Sequence, residues 1–305
     1  MNTQHFRKVI VDGLDIFYRE AGDKNNPTIL LLHGFPSSSH MYRDLINDLS
    51  EDYHLIAPDY PGFGQSSSPL PSVYNYSFDK LALTIHHFID ALNLKKFSLY
   101  VHDYGGPVGF RIAVQRPELI QALIVQNANA YNEGLGDALA PLVAYIQNQN
   151  AETEQGARGF LSFDAVKWLY TDGAEDASKI SPDSYSIDHY YLDRPGNDEI
   201  QLALFRNYGT NLSLYDQWHS YFRKYQPPTL VISGKNDKLF LAAGAEGFKK
   251  DINDAQISLL NGGHFVLEEK HWEAATLIKS FLSRKGSSQF EASILTNQHI
   301  ARDVA

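Results

Sequence analysis

The chain has 305 residues, 43% hydrophobic and 20% charged, with a formal net charge of −10 and no cysteine. That is enough apolar material for one large core carrying an insertion. Acidic and basic residues are interspersed, without the basic patch that a nucleic-acid surface requires, and the lack of cysteine excludes disulfides, thiolate metal sites and a cysteine nucleophile.

The opening segment shows no basic-then-apolar leader, and no apolar run approaches ~20 residues, so no membrane span is expected and the expected location is cytoplasmic. Two short strands are predicted at 7–12 and 14–19. They meet at Asp12-Gly13, a pair suited to a tight hairpin. Further strands follow at 28–33, 54–58, 97–102, 121–126, 229–233 and 256–260. Ile29-Leu30-Leu31-Leu32 and Leu230-Val231-Ile232 are continuous apolar runs, as strands buried on both faces require. Helical patterns lie at 40–50, 78–93, 105–116, 242–250 and 270–284. This alternation predicts an α/β architecture, a mostly parallel eight-stranded sheet with helices on both faces. Between about 130 and 215 the rhythm breaks. That stretch is rich in Tyr, Asn, Gln and Asp, and it is read as an inserted helical cap over the carboxyl ends of the strands. The core is then 1–129 with 216–285. The tail, 286–305, opens on Gly286-Ser287-Ser288 and reads as frayed rather than docked.

Chemistry concentrates where strands end. The strand through Ser98-Leu99-Tyr100-Val101 runs into His102-Asp103-Tyr104-Gly105-Gly106 and then a helix. This is a strand–nucleophile–helix turn in which serine hydrolases read Gly-x-Ser-x-Gly; here the nucleophile position holds Asp103. Taken alone, Asp103 reads equally well as a helix N-cap. Three further segments favour the nucleophile. Leu32-His33-Gly34-Phe35-Pro36 follows an apolar strand, and the Phe35 N–H can join that of Tyr104 in an oxyanion hole. Ser233-Gly234-Lys235-Asn236-Asp237 sets a carboxylate just past a late strand. Gly262-Gly263-His264 sets a histidine just past the last one. The order nucleophile, acid, base is the one this arrangement takes, and carboxyl ends of strands are where doubly wound sheets bind ligands.

With these residues in place, the chain resembles the α/β-hydrolase superfamily over nearly its whole length, specifically the branch of epoxide hydrolases and haloalkane dehalogenases. The matching motifs are His33–Pro36, Asp59-Tyr60-Pro61-Gly62-Phe63-Gly64-Gln65-Ser66 and His102–Gly106. The resemblance implies the α/β-hydrolase fold, an Asp nucleophile and a helical cap. It also implies an acid after either of two strands. Gln126-Asn127-Ala128-Asn129 offers no carboxylate, which leaves Asp237.

A carboxylate nucleophile suits displacement at an sp³ carbon, with water and His264 then cleaving the resulting ester. No metal or organic cofactor is required, and the expected partners are a small electrophile and water. A homo-oligomer is compatible with the sequence. His86-His87 reads as helix surface rather than as ligands. The usual dehalogenase halide donors are absent: Tyr104 stands where they carry Trp, and Phe35 where many carry Asn. Trp168 or Trp218 would have to compensate. Epoxide hydrolases instead project tyrosines from the cap. Their Tyr-Arg-Asn reads Phe205-Arg206-Asn207 here, and Tyr208 lies one helical turn on. Tyr208, Tyr215 and Trp168 are therefore the candidate leaving-group donors or pocket residues. The reading is epoxide hydrolysis, with dehalogenation next, and an esterase or a non-catalytic ligand receptor behind.

Overall fold

The computed structural model describes residues 3–302, with side chains described as far as Arg284. Eight strands form one sheet: β1 (His5–Val11), β2 (Leu14–Ala21), β3 (Thr28–Leu32), β4 (His54–Pro58), β5 (Phe97–His102), β6 (Ile120–Gln126), β7 (Thr229–Gly234) and β8 (Gln256–Leu260). Their spatial order is β1-β2-β4-β3-β5-β6-β7-β8. β2 runs antiparallel to β1 and β4, and every other pairing is parallel. The hairpin between β1 and β2 turns on Asp12 and Gly13, both at positive φ (52° and 80°), the backbone a two-residue hairpin needs to match strand twist.

The central strands β4 and β5 are buried at every residue, and β3 at all but its first. Ile29, Leu30, Leu31 and Leu32 have no exposed surface; each contributes about 1.5–3 kcal/mol by leaving water. Two helical layers cover the sheet. In one, α1 (Arg43–Leu49) packs on α12 (Leu267–Arg302); in the other, α2 (Phe78–Ala91), α3 (Gly105–Gln115) and α10 (Tyr215–Tyr225) pack together. Ser77 caps α2 by accepting from the Lys80 N–H, relieving one unpaired donor at the helix start.

The segment between β6 and β7 carries α4 (Ala140–Gln147), α5 (Ala151–Arg158), α6 (Phe163–Thr171), α7 (Pro182–Leu192), α8 (Asn197–Asn207) and α9 (Gly209–Leu212) before α10. Polar contacts pin it to the core. Arg43 makes a two-pronged bond to Glu268 (3.0 and 2.8 Å), and both residues also bond Ser184 of α7. Asn197 donates to the Gly62 carbonyl at 2.8 Å.

Boundaries differ locally from the sequence reading. The 40–50 pattern divides into a 3₁₀ turn (Ser39–Tyr42) and α1, and the 242–250 pattern into α11 (Ala242–Gly247) and a 3₁₀ turn (Phe248–Lys250). The last helix begins at Leu267, with a non-helical Lys270 where 270 was the expected start. His86 is buried, not surface, because it lies on the inner side of α2. Whether 286–305 docks depends on side chains beyond Arg284, which lie outside those described.

Candidate active site

The site begins with a sharp turn. β5 ends at His102, and Asp103 takes φ = 48°, a conformation that costs a non-glycine residue energy unless its surroundings enforce it. α3 then starts at once. Two glycines make this approach possible. A Cβ on Gly105 would lie 2.1 Å from the Leu32 carbonyl oxygen, and one on Gly34 would lie 2.3 Å from the Asp103 Cβ. The loop after β3 can therefore close on the turn, and the Phe35 N–H donates to Asp103 Oδ1 at 2.6 Å. The Tyr104 N–H bonds the same carboxylate. The two expected oxyanion donors thus converge on one group.

Asp237 and His264 come from the loops after β7 and β8. His264 Nδ1 lies 2.8 Å from Asp237 Oδ2. A carboxylate only accepts, so Nδ1 carries the proton and Nε2 is left free to take one. Asp237 Oδ1 accepts from the Leu239 and Phe240 N–H groups at 2.8 and 3.2 Å. Asp103, Asp237 and His264 are all buried.

Burial governs the electrostatics. It pushes the Asp103 carboxyl up to about 6, restrained by His264 and by the Phe35 and Tyr104 N–H groups, while Asp237 adds to the rise. Asp103 is thus mainly ionised at neutral pH while losing much of its hydration. Burial alone would lower His264, but Asp237, through charge and hydrogen bond, and Asp103 outweigh it, so the imidazole sits above its usual value.

Asp103 and His264 line one cavity of about 60 Å³ beneath the inserted helices. Its other walls are Phe35, Phe160, Phe205, Phe240 and a run of aliphatic side chains that includes Leu139, Leu142, Val143 and Ile146. Tyr104 and Tyr208 supply its hydroxyl-bearing rings. Burial, then Tyr215, then the Asp103 charge raise the Tyr208 phenol well above its usual value, so it stays protonated and able to donate.

Two expected pocket residues lie elsewhere. Tyr215 does not line the cavity; it is buried behind it, its hydroxyl accepting from Asn129 Nδ2 at 3.1 Å and its ring against Trp218. Trp168 also lies outside the lining, with the Lys238 ammonium 6.0 Å from its ring centroid. On α6 it is the next residue, Leu169, that faces inward. A one-residue step along a helix turns a side chain by about 100°, which composition cannot reveal. Trp218 packs against Phe110 and Arg111 in the core. Among the described residues no group of three or more His, Asp or Glu could hold a metal ion, and no helix is long and apolar enough to cross a membrane.

The sequence reading missed one participant. Asn127, noted only for lacking a charge, donates to Asp237 Oδ2 at 2.8 Å. The available signal was a polar pair, Gln126-Asn127, directly after the apolar run Ala122–Val125.

Residues 27–271 match the α/β hydrolase fold family. An uncharacterized hydrolase of Saccharomyces cerevisiae is 41% identical over 268 residues, 86% of this chain and 92% of that one. Epoxide hydrolase 4 of Homo sapiens is 26% identical over 93% of this chain and 80% of its own. Among solved structures, the haloalkane dehalogenase DatA from Agrobacterium tumefaciens superposes with a TM-score of 0.78 at 24% identity, covering 92% of this chain and 97% of that one. With its turn at Asp103, its eight-stranded sheet and these relatives, the chain belongs to the α/β-hydrolase superfamily and is a hydrolase related to epoxide hydrolases and haloalkane dehalogenases.

Proposed function

We propose that this hydrolase opens epoxides to diols through an ester formed on Asp103. The observation that carries the reading is the pairing of groups around one apolar cavity: a buried carboxylate on the sheet side and a protonated phenol, Tyr208, on the side of the inserted helices. A carboxylate stripped of water is a stronger nucleophile toward an sp³ carbon. A phenol donates to the alkoxide that develops as the ring opens. Halide departure would call for indole N–H donors, and neither Trp168 nor Trp218 lines the cavity.

In the first step an Asp103 oxygen bonds to an epoxide carbon, that carbon's bond to the ring oxygen breaks, and Tyr208 donates to the oxygen. In the second, His264 Nε2 takes a proton from water as hydroxide adds to the ester carbonyl. The oxyanion is held by the Phe35 and Tyr104 N–H groups. Collapse releases the diol, and the proton held by His264 goes to the departing alkoxide. The second proton of the water, left on the Asp103 carboxyl, returns to Tyr208 where that phenol gave up its own, and otherwise goes to the alkoxide formed on ring opening, so that Asp103 is again ionised. The two steps are linked electrostatically. Asp103 is one of the charges that raise His264. Esterification removes that charge, which lowers the imidazole pKa and favours its neutral form at the moment water must be activated.

The test is His264→Gln. Alkylation needs no base, whereas ester hydrolysis should slow by about 10²–10⁴-fold. On incubation with an epoxide, mass spectrometry should find an adduct on the peptide bearing Asp103 whose mass is the whole epoxide. An adduct elsewhere, or one formed only from alkyl halides with loss of halide, would sink the epoxide reading; the second outcome points to dehalogenation.

A further inference from the structure

β6 is apolar from Ala122 to Val125, and the chain then places Gln126 and Asn127 at 0 and 1% exposure. Neither serves as nucleophile, acid or base. Asn127 holds φ = 41°, which a buried non-glycine residue keeps only where its partners enforce it. Its side chain is bound at both ends. Oδ1 accepts from the Gly234 N–H at 3.2 Å and from Gln126 Nε2 at 3.1 Å. Nδ2 donates to Asp237 Oδ2 at 2.8 Å and to the Gly263 carbonyl at 3.4 Å. These partners fix the amide's orientation, since a backbone N–H only donates and a carboxylate only accepts. Behind it the Tyr100 hydroxyl, fully buried on β5, donates to Gln126 Oε1 at 3.0 Å. Every donor points the same way, from Tyr100 to Gln126 to Asn127 to Asp237. The last bond lands on Oδ2, the oxygen that also takes His264 Nδ1.

We propose that Tyr100, Gln126 and Asn127 form a directed hydrogen-bond chain that sets the basicity of His264 by drawing charge from Asp237 Oδ2. They are positioning residues, acting through Asp237. An oxygen shared between two donors holds each less strongly, and donors aligned in series polarise one another. Without the Asn127 N–H, Oδ2 would hold a protonated imidazole more tightly and its pKa would rise. A His264 that stays protonated near neutral pH cannot take a proton from water. The charged or titratable groups facing His264 are Asp237 after β7, Asp103 at the turn after β5, and His102, whose ring centroid is 4.8 Å away. Burial, then the neighbouring His264, keep His102 neutral. Changes at 100 or 127 remove none of these three.

The inference rests on His264 being the base of the proposed reaction, but its test reads the imidazole with no substrate present, so a wrong substrate class leaves the result intact. NMR titration, with the His264 resonance assigned by its loss in His264→Gln, should show the His264 pKa rising by about 0.5–1 in Asn127→Ala. Tyr100→Phe, two bonds further back, should raise it by less. A folded Asn127→Ala with an unchanged or lowered His264 pKa overturns the proposal. So does lost thermal stability with no movement of the pKa, which marks a purely structural role. Should Asn127→Ala not fold, Tyr100→Phe decides: a rise supports the chain and an unchanged pKa refutes it.

Discussion

The two walls of the cavity are built on opposite principles. On the sheet side each acting group is held by hydrogen bonds: Asp103 by backbone N–H groups, Asp237 by four donors including His264, and His264 by Asp237. On the side of the inserted helices the wall is almost wholly hydrocarbon, with Tyr208 as its hydroxyl. Fixed dipoles stabilise charge that appears during a reaction because they need not reorganise. Hydrocarbon walls select by shape and exclude water. On the proposed reaction, the reaction type would reside in the loops of the sheet, and the choice of substrate in the helices above it.

The largest effect that tests this division is removal of the proposed nucleophile. Asp103→Ala should reduce turnover by at least about 10⁴-fold, as loss of a covalent nucleophile does elsewhere, and should form no adduct with any electrophile. Residual turnover within tenfold of the parent would move the chemistry off the sheet wall.

A smaller effect belongs to the other wall. Tyr208→Phe keeps the ring and removes the donor. Losing a hydrogen bond to a developing anion costs about 1.5–3 kcal/mol, so ring opening should slow by about 10–10²-fold while hydrolysis of the ester keeps its rate. Single-turnover kinetics separate the two. Equal slowing of both steps would mean that Tyr208 only packs.

The smallest effect concerns stability. Folding raises the Asp103 carboxyl from 3.8 to about 6, so its ionised form is disfavoured in the native state. The sign is that of a raised carboxyl: the penalty is absent below about pH 4, grows as pH climbs towards 6 and is complete above it. Asp103→Asn, which still accepts the Phe35 N–H, should stabilise the protein by about 1–3 kcal/mol at pH 8 and by little at pH 3.5. Urea unfolding at both values measures it; equal gains at the two would show that Asp103 carries no such penalty.

Much of this molecule is determined locally and so can be read along the chain. The central strands follow from apolar runs whose burial is their main source of stability, whereas the largely exposed β1 follows from its hairpin at Asp12-Gly13. The convergence of Asp103, Asp237 and His264 was legible because each stands within a few residues of a strand's carboxyl end, where the sheet brings the loops together. Phe35 was legible because Leu32-His33-Gly34-Phe35-Pro36 follows an apolar strand; that Gly34 leaves room for the loop to reach Asp103 is visible only in the fold. The inserted helices offered no equivalent anchor. Their tyrosines are abundant, and which of them faces the cavity depends on helix rotation: Tyr208 turns inward, Tyr215 turns toward Asn129 and Trp218, and Trp168 cedes its place to Leu169. The chain through Tyr100, Gln126 and Asn127 was equally hidden, because it joins residues of β5, β6 and the loop after β7 that only the sheet's register brings within hydrogen-bond distance. Sequence by itself determined which side chains stand at the strand ends, since that follows from local pattern and chain order. Tertiary structure alone decided which side chains share the cavity and which donors reach Asp237, since those depend on packing angles and cross-strand register that no single segment contains.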